Sequence, residues 1–253
     1  MRIAIVLVSV TLVCYAAACL ALFAFQRSLI YFPRPKSFGN ASSTMRLAVE
    51  GAQLDITVRP HPGPKALIYF GGNAEDVSAN LASFSTAFPD YALYLMHYRG
   101  FGGSSGKPSE KLLHLDAAAL FDRVRGEHPD VALVGRSLGS GVAIWLATVR
   151  PASRLVLVTP YDSIEEIAAQ QFPWFPVRWL LADKFASWRY APAIRAPTLI
   201  LQAEHDKVIP AASTARLHAS FAPGTASLVV IRGVGHNDIS DTAQYLERMR
   251  EAL

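Results

Sequence analysis

The chain has 253 residues, 51% of them hydrophobic and 17% charged. That is too apolar for a disordered polymer, and with a membrane segment set aside about 220 residues remain, which suits one large domain better than two separate cores. The formal net charge of +4 is spread without a Lys/Arg run or a basic helix face, which argues against nucleic acid as a partner and leaves ordinary surface charge.

At the N-terminus no charged residue occurs between Arg2 and Arg27, and Ile3 to Phe25 is apolar except for Ser9 and Thr11. As a helix this stretch is about 35 Å long, enough to span a bilayer. A cleaved signal peptide competes, because Ala16, Ala17 and Ala18 are small, yet Leu20, Leu22, Phe23 and Phe25 continue the apolar run past any such cut. Ala16 to Cys19 is also a loose lipoprotein box, without the large aliphatic residue such a box carries. The reading favoured is an uncleaved single-pass anchor over 1–27. The flanking charges do not settle its orientation. Cys14 and Cys19 are the only cysteines and both lie in this stretch, so the rest of the chain can form neither a disulfide nor a thiolate metal site.

Pro33, Pro35, Gly39 and the polar run Asn40 to Thr44 read as a tether over 28–45, followed by a catalytic domain over 46–253. Leu47 to Val58 suggests an opening antiparallel hairpin turning near Gly51. Compact apolar runs then recur at Ala66–Phe70, Tyr91–His97, Val131–Val134, Leu155–Val158, Thr198–Gln202 and Leu228–Ile231, as expected of strands buried on both faces. Helical spacing falls between them at Val77–Phe88, Ser109–Arg125, Leu138–Val149, Ala211–Phe221 and Thr242–Ala252. The alternation predicts an α/β fold, a mostly parallel sheet covered on both faces with its functional groups at the strands' carboxyl ends. No repeat and no metal-ligand spacing is visible; neither a metal nor a cofactor is implied.

Gly135-Arg136-Ser137-Leu138-Gly139 falls between a predicted strand and a predicted helix. A sharp turn there exposes the Ser hydroxyl and needs small residues at 135 and 139 to avoid backbone clashes. A serine hydroxyl is a poor nucleophile at neutral pH, so a base is required, with an acid to orient it. Candidates follow in the order this fold expects: Asp206 after the strand Thr198–Gln202, and His236 in a Gly-flanked loop after Leu228–Ile231. Glu204, Asp162 and Asp183 are rival acids. The other histidines sit at a strand end (His97), in a helical pattern (His114), or in loop and surface positions. Donors for a developing oxyanion are expected from the Leu138 amide, at a helix N-terminus, and from the loop Phe70-Gly71-Gly72-Asn73-Ala74, with the Asn73 amide assigned and Gly72 as runner-up.

With Ser137, Asp206, His236 and the Gly71 to Ala74 loop in place, the chain from about Phe25 onward resembles the α/β-hydrolase superfamily. It looks most like the membrane-anchored, nearly capless "α/β hydrolase domain" branch. Gln26 to Pro33, Tyr98 to Ser104 and Asp206 to Pro210 carry the likeness further. The resemblance implies hydrolysis of an ester, thioester or amide through an acyl-enzyme, on a small-molecule or lipid-like acyl substrate or an acylated protein, in a group that also holds peptidase-like members. One residue departs. Relatives usually carry His where Gly71 stands, which predicts a looser oxyanion loop and leaves open a catalytically silent membrane adaptor. The aromatic stretch Phe172 to Leu181 is readable as an acyl-pocket wall, as a lipid contact, or as helices packed on the sheet. Arg99, at a strand end, either touches an anionic substrate group or forms a structural ion pair.

Overall fold

A computed structural model describes residues 1–38 and 43–253; the Gly39 to Ser42 part of the expected tether lies outside the described residues. The sheet has eight strands: β1 (Thr44–Val49), β2 (Ala52–Arg59), β3 (Lys65–Phe70), β4 (Tyr91–Met96), β5 (Asp130–Arg136), β6 (Arg154–Val158), β7 (Thr198–Ala203) and β8 (Ala226–Ile231). Their spatial order is β1-β2-β4-β3-β5-β6-β7-β8. β1 pairs with β2 and β2 with β4 antiparallel, and every other pair is parallel. The hairpin expected near Gly51 is the β1–β2 turn.

The chain steps from β3 to β4 on one side and later returns to β5 on the other. That reversal opens a crevice at the carboxyl ends of β3 and β5, where ligands bind in open sheets of this kind. The central strands are buried along nearly their whole length, which is why they read as apolar runs without alternation.

Nine helices accompany the sheet among the described residues: α1 (Arg2–Ile30), α2 (Leu81–Ala87), α3 (Glu110–Arg125), α4 (Leu138–Val149), α5 (Ile164–Gln171), α6 (Val177–Leu180), α7 (Ser187–Tyr190), α8 (Ala211–Ser220) and α9 (Ala243–Ala252). Buried residues of α3, α4 and α8 pack on one face of the sheet, those of α2 and α9 on the other. Ser109 and Thr242, at the predicted starts of two helices, are instead N-caps accepting from the Leu112 and Tyr245 amides.

Helix α1 is long and apolar enough to cross a membrane. It continues three residues past Arg27, and its end is tied to the rest of the chain. Arg27 Nε and the Tyr31 hydroxyl both donate to Asp183 Oδ2, at 3.0 and 3.1 Å. Beyond the helix, Gly102 N donates to the Arg34 carbonyl and Ser37 N to Asp76 Oδ2. The described part of the 28–45 segment therefore lies on the domain surface instead of hanging free. Local composition could not show this, because each partner is remote in sequence.

Two polar groups in the core are worth noting for their charge. Arg99, only 4% exposed, forms a bidentate pair with Asp116 at 2.6 and 2.7 Å, so of its two expected uses it takes the structural one. His114 on α3 stacks on Trp145 with ring centroids 4.5 Å apart, and its Nε2 is buried without a hydrogen-bond partner. Burial lowers its pKa to about 4, so the ring is neutral in the folded chain. An unfolded His titrates near ~6.5 and takes up a proton that the folded ring refuses, so stability is intact above that pH and declines as pH falls toward 4. In urea titrations between pH 7.5 and 4.5, His114→Phe is expected to keep the stack and lose stability less steeply than wild type, by roughly 2–3 kcal/mol over the window. Parallel slopes would show that the ring is not shielded.

Candidate active site

Ser137 ends the passage from β5 into α4 with φ 48° and ψ −116°, a left-handed conformation costly for a side chain with a Cβ. Close backbone packing imposes it. A side chain at 139 would run into the backbone of Phe70 and Gly71, and one at 135 into Gly139 and Ala143. The turn is fixed further by the Ser137 amide donating to the Val158 carbonyl at 2.9 Å, and by the Ser140 hydroxyl donating to the Ser137 carbonyl at 2.6 Å.

Three residues separated by up to 99 positions meet at this turn. His236 Nε2 lies 3.0 Å from Ser137 Oγ, and His236 Nδ1 lies 2.8 Å from Asp206 Oδ2. Asp206 is held for that contact, because its other oxygen accepts from the amides of Val208 and Ile209 at 2.8 and 2.7 Å. The His236 and Asp206 side chains are only 9% and 4% exposed, so water competes little for their bond.

The rivals are engaged elsewhere. Glu204 accepts from the Gly233 amide, Asp162 binds Arg216 and Ser213, and Asp183 binds Arg27 and Tyr31. His97 is buried against Thr57, and burial lowers its pKa to about 4.

In the loop after β3, the Gly72 amide donates to Glu75 Oε2 at 2.5 Å, whereas among the described residues no protein group takes the amides of Asn73 or Leu138. Asn73, Ser137 and Leu138 border one cavity of about 360 Å³. The rest of its wall is mainly apolar, drawn from α1 (Leu22, Leu29, Ile30), from α5 and from Phe172, Phe175 and Leu181. Of the three readings open for the aromatic stretch, Phe172 and Phe175 thus take the pocket wall. Trp174 and Trp179 project outward, 84% and 89% exposed.

A family model described as "Serine aminopeptidase, S33" matches residues 79–192, a span that includes Ser137. An uncharacterized protein of Mycobacterium tuberculosis is 36% identical over 247 residues, covering 90% of this chain and 87% of that protein. The "Alpha/beta hydrolase domain-containing protein aho-3" of Caenorhabditis elegans is 31% identical over 204 residues, covering 78% of this chain and 60% of that longer protein. Among solved structures, an esterase of Pyrococcus furiosus superimposes with a TM-score of 0.67 at 17% identity, over 88% of this chain and 98% of the esterase.

The chain belongs to the α/β-hydrolase superfamily. Against that background Gly71 is the position to explain, and the expectation of a looser loop is corrected by the structure. A side chain at 71 would meet Val77 and the Glu75 carboxyl group, so Val77 occupies the space that a His would need. Glu75 does the fastening in this hydrolase. Its carboxylate accepts from the Tyr69 hydroxyl at 2.7 Å, from Asn80 Nδ2 at 2.7 Å, from the Gly72 amide and from Arg136 Nη1 at 3.1 Å. Burial, with Glu75 beside it, pushes the Tyr69 hydroxyl well above its ordinary pKa and keeps it a neutral donor.

Arg136 then reaches across the crevice to the carbonyls of His236 and Asn237 at 3.2 and 3.4 Å. Neither Glu75 nor Arg136 was a sequence candidate. Their signal was only proximity, Glu75 two residues past Asn73 and Arg136 inside the Gly-x-Ser-x-Gly turn.

Introducing the histidine that the family resemblance implies at this position is expected to harm this chain. Gly71→His should lower stability by about 1–3 kcal/mol through overpacking against Val77, and Gly71→His with Val77→Ala should recover much of the loss. Thermal melts of the three proteins check this; a neutral single variant would contradict the packing argument.

Proposed function

We propose that this protein is a membrane-tethered serine hydrolase that cleaves an acyl ester, thioester or amide through an acyl-enzyme on Ser137. The observation carrying the proposal is the continuous chain Ser137 Oγ to His236 to Asp206, with both bonds at 3.0 Å or less, opening into a mostly apolar cavity. His236 takes the hydroxyl proton as Ser137 attacks the acyl carbonyl, and returns it to the leaving group as the tetrahedral intermediate collapses. Water, deprotonated by the same ring, releases the acid. Asp206 holds the imidazole in the tautomer with Nε2 facing the serine and stabilises its charged form. The amides of Asn73 and Leu138 donate to the developing oxyanion, where losing one donor costs about 2.7–4 kcal/mol in systems of this type. No cofactor enters the scheme.

Tethering is proposed from α1. A cut after Ala18 would leave Leu20, Phe23 and Phe25 facing water and would separate Tyr15 from Phe175, on which it stacks. An uncleaved anchor keeps both.

A silent adaptor rested on the altered loop at Gly71, and the unpartnered Asn73 amide removes most of its motivation. The two readings separate in one experiment. Full-length protein in detergent is expected to be labelled by a fluorophosphonate probe at Ser137, with no labelling of Ser137→Ala. Asp206→Asn should cut turnover of a short-chain ester by about 10⁴ while leaving the melting temperature nearly unchanged. Folded protein that neither labels nor turns over would establish the adaptor instead.

A further inference from the structure

Helix α1 is about 43 Å long, more than a bilayer core needs, and the catalytic domain does not wait at its end. The segment Phe172 to Leu181 runs back along it. At one point the Gln26 side chain donates to the Leu180 carbonyl at 3.1 Å and accepts from the Ala182 amide at 2.6 Å. Farther back, the Tyr15 hydroxyl donates to the Trp174 carbonyl at 2.9 Å, and the Tyr15 ring stacks on Phe175 with centroids 5.7 Å apart and planes 6° from parallel. Tyr15 is about 18 Å along the helix from Arg27 and about 20 Å from Arg2, the two charges that bound the apolar stretch. Any placement that puts α1 across a bilayer puts Tyr15 in hydrocarbon, and Phe175 with it.

The chemistry of the segment suits that place. Phe172 to Val177 carries no charge, and two of its residues are prolines without an N–H to satisfy. Phe175, Val177 and Trp179 donate their amides within the segment, to Phe172, Phe175 and Pro176. Its one charge, Arg178, is paired with Glu166 on α5 at 2.9 Å. The indoles of Trp174 and Trp179 have no ring or hydrogen-bond partner among the described residues, although both are more than four-fifths exposed.

We infer that Phe172 to Leu181 is an inserted surface of the catalytic domain, seated beside α1 among the phospholipid acyl chains of one leaflet, with Trp174 and Trp179 facing lipid. This rests on the anchor reading above. Leu22 lies between the two contact points on α1 and lines the cavity that holds Ser137, as do Phe172 and Phe175. The cavity therefore extends along the same stretch as the inserted surface, and an acyl chain passes from the leaflet to the serine without crossing water.

The test uses full-length protein in phosphatidylcholine vesicles with plain or brominated acyl chains, read by tryptophan emission. Two of the four tryptophans are predicted to face the bromines, so brominated lipid should quench roughly half of the wild-type emission. That component should vanish in the Trp174→Phe, Trp179→Phe double variant, whose changes are at exposed positions and leave the melting temperature unaltered. Equal quenching of the two proteins, with both floating with the vesicles, would overturn the inserted surface and leave the anchor standing. Unquenched Trp174 and Trp179 in a floating, crosslinkable dimer would assign the surface to a second copy and overturn the lipid assignment. Failure to float would overturn the anchor and this inference together.

Discussion

The left-handed turn at Ser137 is the constraint on which the site depends. It exists because β3 and β5 are paired in parallel with Phe70 opposite Gly135, so that the start of α4 passes against the end of β3 with only glycine between them. A turn of that kind is costly in isolation and persists where surrounding packing over-determines it. Here the surroundings are two bulk contacts, sheet and helix, and one ionic fastening, Glu75 to Arg136. The ion pair is well shielded, with side chains 11% and 13% exposed, and each partner satisfies additional groups. Removing either partner would leave a shielded charge uncompensated, which is more damaging than the worth of the pair itself. Glu75 and Arg136 thereby join the loop after β3, the Ser137 turn and the His236 loop into one unit.

That unit is also joined to helix α1. The Asn73 side chain donates to the Ile30 carbonyl at 2.6 Å and accepts from the Phe32 amide at 2.9 Å, while its own backbone amide has no protein acceptor among the described residues. One residue therefore links the exit of α1 to the loop after β3. Asp183 repeats the pattern through Arg27 and Tyr31, and burial beside Asp183 pushes the Tyr31 hydroxyl far above its ordinary pKa, so it remains a donor. Helix α1 is in this sense part of the pocket's architecture, since Leu22, Leu29 and Ile30 line the cavity.

Much of the fold was legible because parallel strands buried on both faces read as uninterrupted apolar runs, and α4 begins where the Gly-rich turn must end. The meeting of Ser137, Asp206 and His236 was legible for a related reason: each follows a recognisable strand, and strand ends in a parallel sheet share one edge. What was not legible depends on side-chain reach. Glu75 and Arg136 are ordinary charged residues until folding sets them 3.1 Å apart, and the packing of Val77 into the place of a side chain at 71 has no trace in composition. The aromatic stretch was readable in three ways because Phe172 and Phe175 border the cavity while Trp174 and Trp179 project outward, a division that periodicity over a Pro-interrupted segment cannot resolve.

The central claim is that acyl transfer passes through Ser137 covalently. The most direct measurement is intact-protein and peptide mass spectrometry of the full-length enzyme, acid-quenched during turnover of a p-nitrophenyl ester. The account predicts a single acyl adduct on the peptide containing Ser137, present during turnover and gone once substrate is exhausted. Turnover with no adduct at any time, or an adduct confined to another residue, would contradict it.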